Sequence, residues 1–242
     1  MENLRGSFPE KSEAELNRIC KAFYKHFCDL TVETIKLFTA SRDSIQKRVK
    51  LINVELLESF YKQNKSLILA TGHYANWEWP AITLPSHSHH FALGIYQPLS
   101  NKFFDNKLIT TRSRFGMTLM PVKQVAKYFE DHYNQTCAYG FINDQSPSNP
   151  DRAYWGKFLN RDTAMLAGTE RYARQYNFPV IYGEIKKISR GHYSIEYKLV
   201  SEFPKNEPEG VITQKCATIN ESIIRSQPEY WLWTHRRWKH KR

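Results

Sequence analysis

Residues 66–80, SLILATGHYANWEWP, decide the fold. The run Leu67–Ala70 is apolar without interruption, too short for an ordinary helix, and has the composition of a strand buried on both faces. Gly72 ends it and permits a sharp turn. His73 is thereby delivered to the C-terminal end of the strand, with Glu78 five positions on. In open α/β sheets the ligand crevice lies beyond such strand ends, so the position itself favours function. Five residues exceed one helical turn, which makes 73–78 a turn leading into a helix, with Asn76 as its cap.

The same alternation continues outward in both directions. SEAE at Ser12–Glu15 has the pattern of a capping box. Behind it Leu16, Ile19, Cys20, Phe23, Phe27, Leu30, Thr34 and Leu37 recur at helical spacing, which predicts a long amphipathic first helix. VKLIN reads as a strand and VELLESFYKQN as a helix, which with SLILATG makes a β-α-β arrangement. HFALGIYQ, MTLMPV and TCAYGFIND are further strands, the last ending at Asp144, interleaved with helices over NKFFDNKLITTRSRF and VKQVAKYFEDHYN. MLAGTERYARQYN reads as helix, FPVIYGEIKKI and HYSIEYKLV as a pair of strands, and ITQKCATINESIIRSQ as a last helix. The expectation is an α/β fold: one domain over 1–242 with a mixed open sheet flanked by helices. Residues 1–40 form an N-terminal amphipathic helix region and 228–242 a basic, aromatic tail. No repeat, low-complexity tract or linker divides the chain.

Lys and Arg number 35 against 24 Asp and Glu, a formal charge of +11, so the surface presents positive potential to an acidic partner. With aromatic residues at 14% and charged residues at 24%, the chain belongs among globular rather than disordered sequences. Cys20, Cys28, Cys137 and Cys216 show neither a CxxC spacing nor disulfide density, and read as buried free thiols of a reducing compartment. No apolar run approaches the ~20 residues that span a bilayer, and the polar N-terminus is unlike a signal peptide. The chain therefore reads as neither membrane-spanning nor exported by a cleaved leader.

A histidine at a strand end acts as a general base when a carboxylate holds its other ring nitrogen protonated. Glu78 is the carboxylate nearest in sequence. A zinc site would need further ligands; HExxH is absent, and HSHH at His87–His90 has no cysteine or carboxylate beside it, so neither metal nor cofactor is expected. Spacing alone leaves His73 undecided between a base and an ordinary histidine.

The segment GHYANWEW resembles the H-x4-D/E block of the bacterial lipid A late acyltransferases, within the lysophospholipid acyltransferase superfamily. ENLRGSFPEKSEAEL, NKFFDNKLITTRSRFGM, FINDQSPS, FLNRDTAMLAGTERYARQYNFPVI and the closing QPEYWLWTHRRWK are similar to further blocks of that family, in order along nearly the whole chain. The form is that of Bacteroidetes-like sequences, whose motif ends in Glu.

The resemblance implies a glycerolipid-acyltransferase-like fold, and transfer of a fatty acyl chain from acyl carrier protein to a hydroxyl of a lipid A precursor. His73 would take the hydroxyl proton while Glu78 orients it, without an acyl-enzyme. Arg114 would stabilise the thioester oxyanion, with Arg112 the competing choice. Asn76, Asp144, Gln145 and Thr163 would bind substrate or support the site. Thr163, Gly168 and Thr169 would leave space for an acyl tail, and Tyr74, Trp77, Trp79, Phe141, Tyr154, Trp155 and Phe158 line an apolar tunnel or pack in the core.

Family members begin with a hydrophobic anchoring helix, and this chain starts beyond it. Peripheral attachment to the cytoplasmic face of the inner membrane is then expected from the basic surface, exposed aromatics and the first helix. YWLWTHRRWKHKR is the segment expected to rest on an anionic bilayer. Acylation of another lipid by the same residues is the near alternative. A nucleic-acid-binding module, or an inactive scaffold, is the remote one, and nucleic acid is not expected as a partner.

Overall fold

The computed structural model describes residues 1–242. Two helices open the chain, α1 (Glu2–Ser7) and the long α2 (Glu13–Leu37), followed by α3 (Arg42–Gln46), β1 (Val49–Ile52), α4 (Glu55–Tyr61) and β2 (Leu67–Thr71). Then come α5 (Glu78–Thr83), β3 (Phe91–Tyr96), α6 (Lys102–Arg114), β4 (Thr118–Pro121), α7 (Val125–Asp131) and β5 (Cys137–Ile142). A hairpin of β6 (Tyr154–Phe158) and β7 (Arg161–Met165) precedes α8 (Gly168–Tyr176), β8 (Val180–Ser189), β9 (His192–Ser201) and α9 (Val211–Ser226). The capping box at the start of α2 is formed from both sides, Ser12 accepting from the Glu15 backbone and Glu15 from the Ser12 backbone. The stripe read from the sequence is the buried one: Leu16, Phe23, Leu30 and Leu37 face the core.

Seven strands form one mixed sheet in the order β1-β9-β8-β2-β5-β3-β4. β8, β2, β5, β3 and β4 run parallel, β9 returns antiparallel to β8, and β1 lies parallel to β9 at the edge. β1 and β2 are therefore not neighbours. β8 and β9 stand between them, and the first β-α-β passage is not a parallel crossover unit. The apolar run of β2 is explained by its central place. Leu67, Ile68 and Ala70 are fully buried because layers of helix cover both faces, and each large aliphatic side chain so buried contributes roughly 1.5–3 kcal/mol.

β2 and β5 pair with a constant offset of register, from Leu67 opposite Ala138 to Thr71 opposite Ile142. Continued two residues past the strand ends, the same offset sets His73 beside Asp144. The site is thus decided by strand register before any side chain is considered.

A single cluster of 49 buried hydrophobic residues ties the layers together. Phe129 of α7 stacks on Tyr139 of β5 (3.9 Å between ring centroids) and on Tyr172 of α8 (4.5 Å). Tyr74, Trp79 and Phe158 belong to this core and Phe141 lies at its margin, which takes them away from an apolar tunnel. The four cysteines are all free; Cys137 and Cys216 are buried as expected, but Cys28 is exposed and Cys20 half-buried on α2.

The C-terminal segment departs most from expectation. Trp231 and Trp233 are buried at 2% and 7% exposure, and the Trp238 indole donates to Thr163 Oγ1 at 2.8 Å. Of the tryptophans expected on a bilayer, Trp231 and Trp233 are core residues and Trp238 packs half-buried against the core, and only Arg236, Lys239, Lys241 and Arg242 leave their charge in solvent. The physical reason is the path of the chain. Residues 230–232 pair with the backbone of 73–75, through Ala75 N–H to Tyr230 O (2.9 Å) and Leu232 N–H to His73 O (3.2 Å). The tail is a bracket on the motif.

Candidate active site

Asp144 follows β5 and is buried at 6% exposure. One carboxylate oxygen takes the His73 ring at Nδ1, 2.6 Å away. The other accepts from the His73 backbone N–H at 2.8 Å and from the Trp231 indole at 2.7 Å. A carboxylate on Nδ1 selects the tautomer that carries its hydrogen there, leaving the lone pair on Nε2. Burial alone would raise the Asp144 carboxyl; the His73 charge, with the hydrogen bonds from His73 and Trp231, outweighs it and leaves the group below its usual range.

Nε2 points to the open side of the pair. Gln145 donates its amide to it at 3.3 Å, and the Trp77 ring packs edge-on against the imidazole with centroids 4.9 Å apart. The His73 side chain retains 17% exposure against 2% for Asp144. One end of the imidazole is therefore fixed in the interior while the other meets incoming groups.

Glu78 is not the group on His73. Its carboxylate receives the Arg112 guanidinium in a two-pronged pair, Nε at 3.0 Å and Nη2 at 2.6 Å. Arg112 lies in the last turn of α6 and Glu78 in the first turn of α5. The Glu78 side chain is taken up by Arg112, whereas strand register brings Asp144 alongside His73. Proximity in sequence was a poor guide to the partner.

Arg114, expected at the oxyanion, is drawn off elsewhere. Its Nη2 donates to the carbonyls of Leu37 and Ala40, each at 2.9 Å, and Nη1 to Phe38 O at 3.4 Å. Three carbonyls at the end of α2 are a natural seat for a guanidinium, since helix C-termini expose unpaired acceptors and carry partial negative charge. Of the two arginines, Arg112 is the one beside the motif.

Asn76 caps the start of α5 as expected, its Oδ1 accepting from the N–H groups of Glu78 (3.1 Å) and Trp79 (3.0 Å). Its Nδ2 donates to the buried Glu33 carboxylate of α2 at 2.7 Å, and the Tyr193 hydroxyl donates to the same oxygen at 2.8 Å. Asn76 is fully buried, so it positions the motif rather than meeting substrate. Thr163 is likewise interior, donating to Arg161 O at 2.9 Å and accepting from Trp238. Gly72 does not need a left-handed backbone; the residue that adopts one is Ala75, at φ 52°. Gly72 is required by close approach, because a Cβ there would fall 2.8 Å from Asn220 Oδ1.

Glu33, Trp231 and Asn220 are the site residues that sequence reasoning missed. Each comes from an element far away in the chain. No local pattern marks these three, whereas Asp144 is marked by TCAYGFIND ending in a carboxylate just as SLILATGH ends in an imidazole, two strand ends of one sheet.

The family model described as bacterial lipid A biosynthesis acyltransferase matches residues 1–240. The chain is 22% identical over 237 residues to a lipid A biosynthesis myristoyltransferase of Escherichia coli (strain K12), covering 96% of this chain and 71% of the relative. It is 22% identical over 236 residues to a lipid A biosynthesis acyltransferase of Haemophilus influenzae, covering 96% and 72%. A third relative, lipid A biosynthesis acyltransferase 1 of Shigella flexneri, is 28% identical over 193 residues, which cover 77% of this chain and 59% of that one. With a strand-end histidine held by a buried carboxylate, and the family match running nearly end to end, the chain belongs to the bacterial lipid A biosynthesis acyltransferases.

Proposed function

We propose that this acyltransferase moves a fatty acyl chain from acyl carrier protein to a hydroxyl of a lipid A precursor, with His73 as general base and Asp144 as the carboxylate that orients it. The observation that carries this reading is the 2.6 Å contact of His73 Nδ1 with Asp144, which puts the lone pair on Nε2, at the open side where Gln145 now donates, to take a proton. As the acceptor oxygen attacks the thioester carbonyl, Nε2 removes its hydrogen. The tetrahedral intermediate then collapses, the C–S bond breaks, and the departing thiolate takes the proton back from the imidazolium. No covalent acyl-enzyme forms.

Negative charge develops on the thioester oxygen during attack, and a cation or N–H donor must meet it. Arg112 is the proposed donor. Glu78 holds it through Nε and Nη2, which leaves Nη1 free of that pair. Gln145, already at Nε2, is the residue that incoming hydroxyl must displace or bond.

A net charge of +11 suits both an acidic carrier protein and a phosphorylated lipid. No helix is long and apolar enough to cross a membrane. With the tail tryptophans packed into or against the core, the apolar groups proposed to meet an anionic bilayer are Leu99, Phe103 and Phe104, exposed at 41%, 72% and 51%. Lys102 and Lys107 flank them, and α6 starts on the sheet edge that carries His73 and Asp144. An exposed aromatic patch rimmed by lysine is the composition of an interfacial contact.

Incubation with labelled acyl carrier protein thioester and a panel of acceptors (lipid A precursors, lysophospholipids, aminolipids and glycolipids) tests the reading. Transfer to a lipid A precursor that vanishes in His73→Ala is expected. Transfer confined to another lipid would move the acceptor assignment, and transfer to none would sink the reaction.

A further inference from the structure

Asp144 is a carboxylate in the interior whose hydrogen-bond donors, the His73 backbone, the His73 ring and the Trp231 indole, include no permanent cation. Arg237 is a guanidinium in the interior at 3% exposure, and it forms no salt bridge: Nη1 donates to Ala164 O at 2.7 Å, the group lies over the Phe158 ring at 5.7 Å, and Nε has no partner. Two isolated buried charges of opposite sign are each expensive, since burial in a poorly polarisable interior penalises a charge that is not compensated. They are not isolated from each other. Both line one cavity of about 20 Å³, walled also by Asn143, Asn220 and Thr213. Asn220 Oδ1, like Arg237 Nε, has no hydrogen-bond partner.

We propose that Arg237 is a positioning residue: its buried guanidinium balances the Asp144 carboxylate across this shared cavity and holds it as the anion that orients His73. The inference rests on the base assignment of the preceding subsection. It goes beyond it by giving the closing HRRWK segment an electrostatic task where burial alone would make it a clasp.

The other titratable groups around Asp144 do not supply this balance. Tyr182 of β8 is pushed well up by burial and by the Asp144 charge, and stays neutral. Cys216 of α9 is pushed up to about 12 by burial. Glu170 of α8 is turned to Thr213 and Gly210 by hydrogen bonds of 2.6–2.9 Å. His235 is lowered by burial and accepts the Ser146 N–H at Nε2. Arg237 itself is lowered by burial to about 10, which still leaves it charged at neutral pH. The permanent cation of the group is Arg237.

A merely structural Arg237 would anchor the tail to the Ala164 carbonyl and nothing more, so the test must read charge. Protein labelled with carboxyl-13C aspartate reports the Asp144 titration by NMR, with Asp144→Asn assigning the resonance. In Arg237→Met, and in Arg237→Gln, which keeps a hydrogen-bond donor without the charge, the Asp144 midpoint should rise by about one pH unit or more. Arg237→Lys, retaining the charge, should stay close to wild type. In the transfer assay the two uncharged variants should lower kcat with KM little changed and move the acid limb of the pH profile upward, and Arg237→Lys should restore both. An unchanged midpoint in either folded uncharged variant overturns the proposal. If the wild type transfers no acyl group, the proposed reaction fails while the carboxyl titration still decides what Arg237 does.

Discussion

Two carboxylates stand at the same edge of the sheet and share little else. Asp144 has a 2% exposed side chain and accepts from two atoms of His73 and from Trp231. Glu78 has a 15% exposed side chain and is gripped by Arg112 through two nitrogens. The first pair leaves an imidazole lone pair at the open side; the second offers a fixed guanidinium. Burial decides the division. A carboxylate taken fully from water needs several donors around it, and His73 and Trp231 provide them. A partly solvated one is satisfied by a single bidentate cation.

The largest effect expected from this division is at Asp144. Asp144→Asn should lower acyl transfer by about 10³–10⁴-fold with the fold intact, the usual result of losing the group that selects the histidine tautomer, and His73→Ala should do at least as much. If Glu78→Gln proved the more damaging of the two, the assignment of partners would be reversed. Glu78→Gln is expected to cost about 10²-fold, through loss of a fixed donor to the oxyanion. Combined with Arg112→Lys its effect should fall well short of the product of the single effects, because the two act as one unit.

Acid titration tests the buried member of the comparison. Asp144 is depressed in the folded protein, so the stability it contributes is present above the unfolded carboxylate range near about pH 3.9, and is lost as pH falls through the folded value. Denaturant melts of wild type and Asp144→Asn should therefore show a stability gap that narrows below about pH 4. A gap that widened on acidification would contradict the ionised, hydrogen-bonded carboxylate. The smallest effect is expected at Arg114. Arg114→Ala should remove about 1 kcal/mol of stability through the unpaired carbonyls at the end of α2, with kcat of the folded enzyme unchanged.

Much of the fold was legible because its signals are local. The capping box of α2, the buried run of β2 and the periodicity of α9 each rest on a few adjacent residues and recur as expected. The β6–β7 hairpin was not read as such, since YWGKF and RDTAM lack a clean alternation of apolar and polar residues. At the site, His73 stands out by its place at a strand end, and Asp144 by the same token. Their pairing rests on an offset of register between β2 and β5, which no residue in either strand announces. The tryptophans of the closing segment show the converse problem. Basic aromatic composition fits an interface and a core equally well, and backbone pairing with residues 73–75 sends Trp231 inward.

The sequence by itself determined the kinds of element, their order, the strand end that bears His73 and, through motif resemblance, the family, because periodicity and capping act over one or two turns of chain. Only the tertiary structure decided that Asp144 rather than Glu78 holds the imidazole, that Arg112 rather than Arg114 stands beside the motif, and that Arg237 is buried near the carboxylate. Those choices depend on which side chains are removed from water together, and that is set by contacts between residues scores of positions apart.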